Sequence, residues 1–305
     1  MQQHINDAIE AVTGVLLGKE QQVRLALCAL FSRGHVLIED LPGMGKTTLA
    51  QALSKALGLD FQRVQFTSDM LPGDIIGVSV FNQSDSSFRF HPGPVFTEVL
   101  LADEINRSTP KTQSALLEAM AERQVTIDGS TRPLPDDFFV IATQNPATQA
   151  GTYPLPESQL DRFLMRIEIG YPSREAERAM LEGRGGHRSV DAIEPCFDRE
   201  GLHRVHAMAQ EVVCSDLLLD YVQRLTEFSR TQPEFAYGLS PRGALALLDA
   251  ARSWAFMYGR AHVVPEDVQA VLPAVAAHRL RSVGDFGGDG RALAAHMLAQ
   301  VNVFA

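Results

Sequence analysis

The sequence predicts an α/β protein: a parallel sheet with inserted hairpins over residues 1–172, followed by a smaller all-α unit over 173–305. Three observations predict it. Through the first half, short apolar runs alternate with helical patterns, as parallel strands joined by crossover helices require. A glycine-rich turn, "EDLPGMGKTT" at 39–48, stands between one such run and one such helix. After "GYPSREAE" the strand-like runs stop and helical spacing takes over.

The candidate strands are "HVLIED" (35–40), "FQRVQF" (61–66), "EVLLADE" (98–104), "FFVIATQN" (138–145) and "FLMRIEIGYP" (163–172). Helices are predicted over 18–32, 46–57 and 111–122, the last with Ala115, Leu116, Ala119 and Met120 on one face. Two segments depart from the alternation. Residues 77–96 have strand-like halves around "NQSDSS", and 124–135 turn at Asp128-Gly129; both predict hairpins. Beyond residue 173, helices are expected over 202–214, 216–230, 241–258 and 266–280, with Pro241 and Pro265 at their first turns. "SVGDFGGDG" (282–290) reads as a loop before a final short helix.

Composition excludes some classes. No apolar run reaches the roughly 18 residues of a membrane span. "MQQHINDAIEAV" lacks a basic stretch followed by an apolar core, so no secretory signal is expected. Cys28, Cys196 and Cys214 show no CxxC spacing and read as thiols in a reducing, cytoplasmic setting. A net charge of −10 argues against a surface built for nonspecific nucleic-acid binding.

The chemistry begins at residue 39. A phosphate-binding loop reads G-x-x-x-x-G-K-[ST], and here Asp40 occupies the place of the first glycine. The remainder, Pro42, Gly43, Met44, Gly45, Lys46, Thr47 and Thr48, keeps the pattern between a strand and a helix. Backbone N–H groups of 43–48 would face phosphate oxygens at a helix N-terminus. Lys46 would reach the β and γ phosphates and Thr47 would ligate Mg²⁺. Asp40, ahead of the Leu41-Pro42 turn, need not touch phosphate. "VLLADEINR" carries a second constellation, because Asp103 and Glu104 end an apolar strand where open α/β sheets bind ligands. Asp103 would hold Mg²⁺ through water, and Glu104 would orient or deprotonate the attacking water.

"LPGMGKTTLA", "GPVFTEVLLADEINRSTPKTQSALLEAMAERQVTI", "FFVIATQNP", "LPESQLDRFLMRIEIGYP" and "LSPRGALALL" together resemble MoxR-type AAA+ ATPases, from about Gly14 to His278. The resemblance implies an AAA+ P-loop core with hairpin insertions and an all-α lid domain. It implies ATP and Mg²⁺ as ligands. By position, Asn145 matches sensor 1, which bonds the γ-phosphate or the attacking water. Arg162 matches an arginine finger reaching a neighbouring subunit's ATP, and Arg242 in "SPRG" matches sensor 2. Val15 and Leu17 fall where such proteins build the adenine pocket. The hairpins match insertions that line or cap a ring, with Phe88, Phe90 and Arg132 as the first residues to probe. The resemblance further implies a homo-oligomeric ring, commonly a hexamer, that remodels a protein client, often with a von Willebrand factor A domain partner and sometimes for metal insertion. Two other classes stay open: a nucleic-acid motor and a nucleotide-gated scaffold with negligible turnover.

Weaker features remain. His203 and His206 are three apart on a predicted helix and read as surface histidines without a third metal ligand. "GDFGGDG" has part of a calcium-loop composition without the full ligand spacing. Trp254 reads as core, and Arg107 as a residue that could face an interface.

Overall fold

The computed structural model describes residues 1–84, 86–145, 151–182, 189–283 and 290–303. In chain order the first elements are α1 (Gln2–Thr13), α2 (Glu20–Phe31), β1 (Val36–Glu39), α3 (Lys46–Ala56), β2 (Phe61–Gln65) and α4 (Pro72–Ile76). There follow β3 (Gly77–Asn82), β4 (Ser87–Pro92), β5 (Val99–Asp103), α5 (Pro110–Glu122), β6 (Gln124–Ile127), β7 (Ser130–Pro133) and β8 (Phe139–Gln144). Then come α6 (Glu157–Leu160), β9 (Met165–Ile167), α7 (Arg174–Leu181), α8 (Arg199–Gln210) and α9 (Asp216–Thr231). The last are β10 (Phe235–Tyr237), α10 (Pro241–Met257), α11 (Pro265–Ala276), β11 (Arg281–Ser282) and α12 (Gly290–Gln300).

Five strands make one parallel sheet in the order β2-β5-β8-β1-β9. Their side chains alternate between two apolar layers. Val36, Ile38, Val99, Leu101, Phe139 and Ile141 face a layer shared with α1–α3 and the helices after residue 190. Leu37, Leu100, Ala102, Val140 and Ala142 face the other, with α5 and the hairpin bases. Burial on both faces explains why β1, β5 and β8 read as continuous apolar runs. The strand order sets the carboxyl ends of β5, β8 and β1 side by side, with Gln65 beside Asp103 and Glu39 beside Gln144.

Both predicted hairpins form. β3 pairs with β4, and β6 pairs with β7 around Asp128 and Gly129, whose φ angles of 51° and 73° are those of a type I′ turn. The two hairpins meet: the Arg132 guanidinium lies 4.1 Å from the Phe90 ring centroid, and Phe90 packs edge-on against Phe96. Phe88 is exposed near the tip.

Several boundaries differ from expectation. α8 ends at Gln210 rather than 214, because Val213 leaves the helix to bond Ala261 and Val263. α11 ends at Ala276, where the chain turns to aim His278 and Arg279 back at the sheet. The second half also holds a small ribbon, β10–β11. α1 was not predicted, although Ile5, Ala8, Ile9 and Val12 have helical spacing and are buried. Trp254 is core, as expected. His206 corrects the reading of two surface histidines: it is buried, with Nδ1 3.1 Å from the Phe31 carbonyl oxygen and Nε2 3.5 Å from Asp137. Residues 284–289 of "GDFGGDG" lie outside the described residues. Among the described residues no helix is long and apolar enough to cross a membrane, and no cluster of three or more His, Cys, Asp or Glu side chains could hold a metal ion.

Candidate functional site

The loop 40–45 joins β1 to α3 and is shaped by two glycines in the left-handed region, Gly43 at φ 84° and Gly45 at φ 86°. Gly45 is the N-cap of α3, and a Cβ there would stand 2.8 Å from Leu16 Cδ1. The left-handed conformation disfavours any side chain there, and a Cβ would also oblige the Leu16 side chain to shift. At Gly43 nothing lies within 4 Å of a Cβ, so the backbone there borders open space. Met44, Thr47 and Thr48 are half-buried around this turn, and Pro42 is exposed before it.

Asp40, the odd residue of the loop, is a brace. One carboxylate oxygen accepts the Leu41 N–H at 2.7 Å and the other the Gly170 N–H at 2.6 Å. It thus ties the end of β1 to the chain leaving β9 and fixes how the loop departs from the strand.

Lys46, Asp103, Glu104 and Asn145, from two strand ends and the start of α3, are brought together. Lys46 is 8% exposed, and its ammonium donates to the Asp40 carbonyl at 2.7 Å and to Asn145 Oδ1 at 3.2 Å. Burial pulls its pKa below the ordinary lysine range, while the charges of Asp103, Asp40 and Glu104 pull it back up. Asn145 in turn donates from Nδ2 to Glu104 Oε1 at 3.0 Å. The backbone N–H of Glu104 donates to Thr143 Oγ1 at 2.8 Å, and that hydroxyl donates to Asp103 Oδ1 at 2.6 Å. Glu104 adopts φ 55°, an uncommon conformation for a non-glycine residue, and one that concentrates at functional sites.

Sequence reasoning missed four members of this network. Arg63 on β2 pairs with Asp103 Oδ2 at 2.6 Å, and Gln65 on the same strand donates to Glu104 Oε2 at 3.0 Å. Arg107 meets the same Glu104 oxygen at 2.9 Å, and Thr143 bridges the acidic pair. The signal for Arg63 and Gln65 was their place near the carboxyl end of a strand, but their neighbour becomes known only with the strand order.

Other predicted residues lie apart. Arg162 follows α6 and donates to the Leu117 carbonyl of α5 at 3.0 Å. Arg242 is exposed in the first turn of α10. Val15 and Leu17 are half-buried, and it is the intervening Leu16, buried, that packs on the loop at Gly45. Lys19, beside them, is buried and donates to the Ile169 and Tyr171 carbonyls at 2.7 and 2.5 Å, anchoring this stretch to the chain beyond β9.

The residues suit a magnesium nucleotide. The N–H-bearing turn beside open space at Gly43 could hold phosphate, the Lys46 ammonium would supply positive charge, and an alcohol (Thr47) and a carboxylate (Asp103) are the hard oxygen donors Mg²⁺ prefers.

Comparison with known proteins agrees. Residues 35–165 match the ATPase family associated with various cellular activities (AAA), and residues 227–295 match the AAA lid domain. The chaperone MoxR1 of Mycobacterium tuberculosis is 42% identical over 283 residues, covering 90% of this chain and 74% of the relative. This chain belongs to the MoxR-type AAA+ ATPases. Another relative, the uncharacterised protein YeaC of Bacillus subtilis strain 168, is 44% identical over 276 residues, 90% of this chain and 86% of YeaC. A crystal structure of a Cytophaga hutchinsonii protein superposes with a TM-score of 0.88 at 35% identity, covering 99% of this chain and 95% of that one. Like MoxR-type AAA+ proteins generally, the chain combines a parallel-sheet nucleotide core with a helical lid.

Proposed function

We propose that this MoxR-type AAA+ protein hydrolyses ATP and uses the energy to remodel a partner protein. The observation that carries the reading is the continuous path from Lys46 through Asn145 to Glu104, with Asp103 joined to Glu104 through Thr143. A γ-phosphate at the Lys46 ammonium would lie beside a carboxylate able to take a proton from water. Asn145 would hold both parties in register.

In this reading Pro42 to Thr48 form the phosphate cradle and Val15 to Leu17 border the base. Mg²⁺, held by Thr47 and Asp103, would offset phosphate charge when bound. Glu104 is the base, Asn145 the sensor, and Arg242 a lid arginine directed at nucleotide. Arg162 serves the site of the next subunit, so the working unit is a homo-oligomeric ring, a hexamer. Residues 1–172 form the nucleotide-binding unit and 173–305 the lid. The name of the MoxR1 chaperone supports a chaperone role here too. The client would be delivered through a von Willebrand factor A domain partner, with maturation of a complex or metal insertion as the outcome. All three cysteines are free thiols, which fits a cytoplasmic setting.

The test is Glu104→Gln. Turnover of ATP is expected to fall by about 10²–10⁴, the range for removing a general base, while nucleotide binding persists. Unchanged turnover would remove Glu104 from this role and the hydrolytic mechanism with it.

A further inference from the structure

Asp161 stands immediately before Arg162 and faces the opposite way. Arg162 reaches α5, whereas the Asp161 carboxylate reaches two places in the lid. Its Oδ1 accepts from Arg279 Nε at 2.6 Å, and its Oδ2 accepts from Ser240 Oγ at 3.1 Å. Ser240 is the N-cap of α10, its hydroxyl also accepting the Gly243 N–H at 3.0 Å, and two residues further on α10 carries Arg242.

Arg279 makes this attachment rigid. Its side chain is 3% exposed, and besides Asp161 Oδ1 it donates to the carbonyls of Asp161, Phe163 and Leu164 at 3.2, 2.7 and 3.1 Å. It also bonds the Val275 carbonyl within α11. His278 contacts the Phe163 carbonyl oxygen at 3.0 Å, and Arg281 pairs with Glu157 at 3.2 Å. Glu157, Asp161, Phe163 and Leu164 are thus each held by the start of α10 or by the chain following α11. A planar guanidinium fixed to four carbonyls and a carboxylate cannot be displaced one bond at a time without leaving buried polar atoms unpaired.

We infer that Asp161 is a positioning residue which couples the lid over a subunit's own nucleotide to the arginine that subunit presents to its neighbour. Any movement of the lid that shifts the N-terminus of α10 draws on Asp161 through Ser240, and Asp161 cannot move without its covalent neighbour Arg162. The occupancy of one site thereby sets the readiness of the next. This inference rests on the reading of Arg162 as acting between subunits and of Arg242 as a nucleotide-directed lid arginine.

The test is trans-complementation in mixed oligomers of the full chain. Asp161→Asn alone is expected to lower kcat by about tenfold or more, a part of the roughly 10³–10⁵ that such a finger supplies. KM for ATP and the binding of a fluorescent ATP analogue should stay within about threefold, since the phosphate cradle is untouched. Mixed with Glu104→Gln, turnover should exceed the sum of the separate chains, because some interfaces then pair an intact base with a well-held Arg162. A purely structural defect in Asp161→Asn would not be rescued by a second, hydrolytically dead chain. If Asp161→Asn leaves Arg279 too exposed to an uncompensated charge to fold, Ser240→Gly carries the test. It removes the hydroxyl that reaches Asp161, and glycine is itself a tolerated N-cap. Arg162→Ala mixed with Glu104→Gln is the reference. Recovery in that pair without recovery for Asp161→Asn or Ser240→Gly overturns the coupling role alone. No recovery in the reference pair overturns the finger reading and this inference together.

Discussion

Gln65 Nε2 donates to Glu104 Oε2 at 3.0 Å, from one strand to the end of its neighbour in the sheet. The orientation of the amide is internally consistent, because its oxygen accepts from Arg63 Nη2 at 3.3 Å. With Asn145 on one carboxylate oxygen and Arg107 on the other, the candidate base is held by three donors. Each of these donors occupies a carboxylate lone pair that a water proton would otherwise approach.

Gln65→Ala should therefore raise basal ATP turnover by ~2–10-fold, the effect of one hydrogen bond of typical net strength. Steady-state phosphate release with and without the substitution measures it. A fall in turnover instead would show that Gln65 orients Glu104 productively and does not restrain it.

Asp40→Gly restores the glycine that the generic loop pattern has at this position. Because the carboxylate bonds only the Leu41 and Gly170 N–H groups among the described residues, nucleotide affinity should change by less than about tenfold, or 1.4 kcal/mol. Stability should fall by about 1–3 kcal/mol as those N–H groups lose their partner. Titration with a nucleotide analogue and urea denaturation separate the two effects. An affinity loss well beyond tenfold would place Asp40 in the phosphate site itself.

Much of this arrangement was legible in the sequence, and the exceptions have a common cause. β1, β5 and β8 are buried on both faces, so each wrote itself as an apolar run, and Asp128-Gly129 wrote its turn because both residues take positive φ. Lys46, Asp103 and Glu104 were picked out because the expected chemistry needs a cation at a helix start and carboxylates at a strand end, and the fold brings the three together. What stayed hidden depends on partners far along the chain. His206 is buried by its carbonyl partner Phe31, 175 positions away, and Arg279 finds Asp161 at a separation of 118. Periodicity reports which face of a helix is apolar, but it carries no information on which polar residue of that helix will meet a partner in the core.

Arg162→Ala should lower turnover by about 10³ or more, as removal of an arginine finger does, and leave binding of nucleotide by the isolated chain intact. The loss of its bond to the Leu117 carbonyl is a local cost at a partly buried site. Turnover and binding measured on the same preparation decide the matter. If binding is lost with turnover, the guanidinium supports its own subunit's fold or site and the between-subunit role falls.

His35 gives the fold a pH dependence that is independent of nucleotide. Its Nδ1 accepts the Val140 N–H at 3.0 Å, so Nε2 carries the proton and faces the Met120 carbonyl at 3.3 Å. The ring is buried against Phe138 and Phe139. Burial, reinforced by the Arg123 charge, lowers its pKa from 6.5 to about 4. The folded chain therefore binds fewer protons than the unfolded chain between those values, and stability must fall as pH falls through that window. The full loss from this one group is about 3 kcal/mol, developing below pH 6.5 and complete near pH 4. His278, buried and likewise lowered, acts in the same direction. His35→Asn keeps an acceptor for the Val140 N–H without a titratable ring, so it should flatten the decline of unfolding free energy between pH 6.5 and 4 while costing some stability at pH 7. Urea melts across that range provide the slope, and a slope equal to that of the parent chain would mean that other groups govern the acid response.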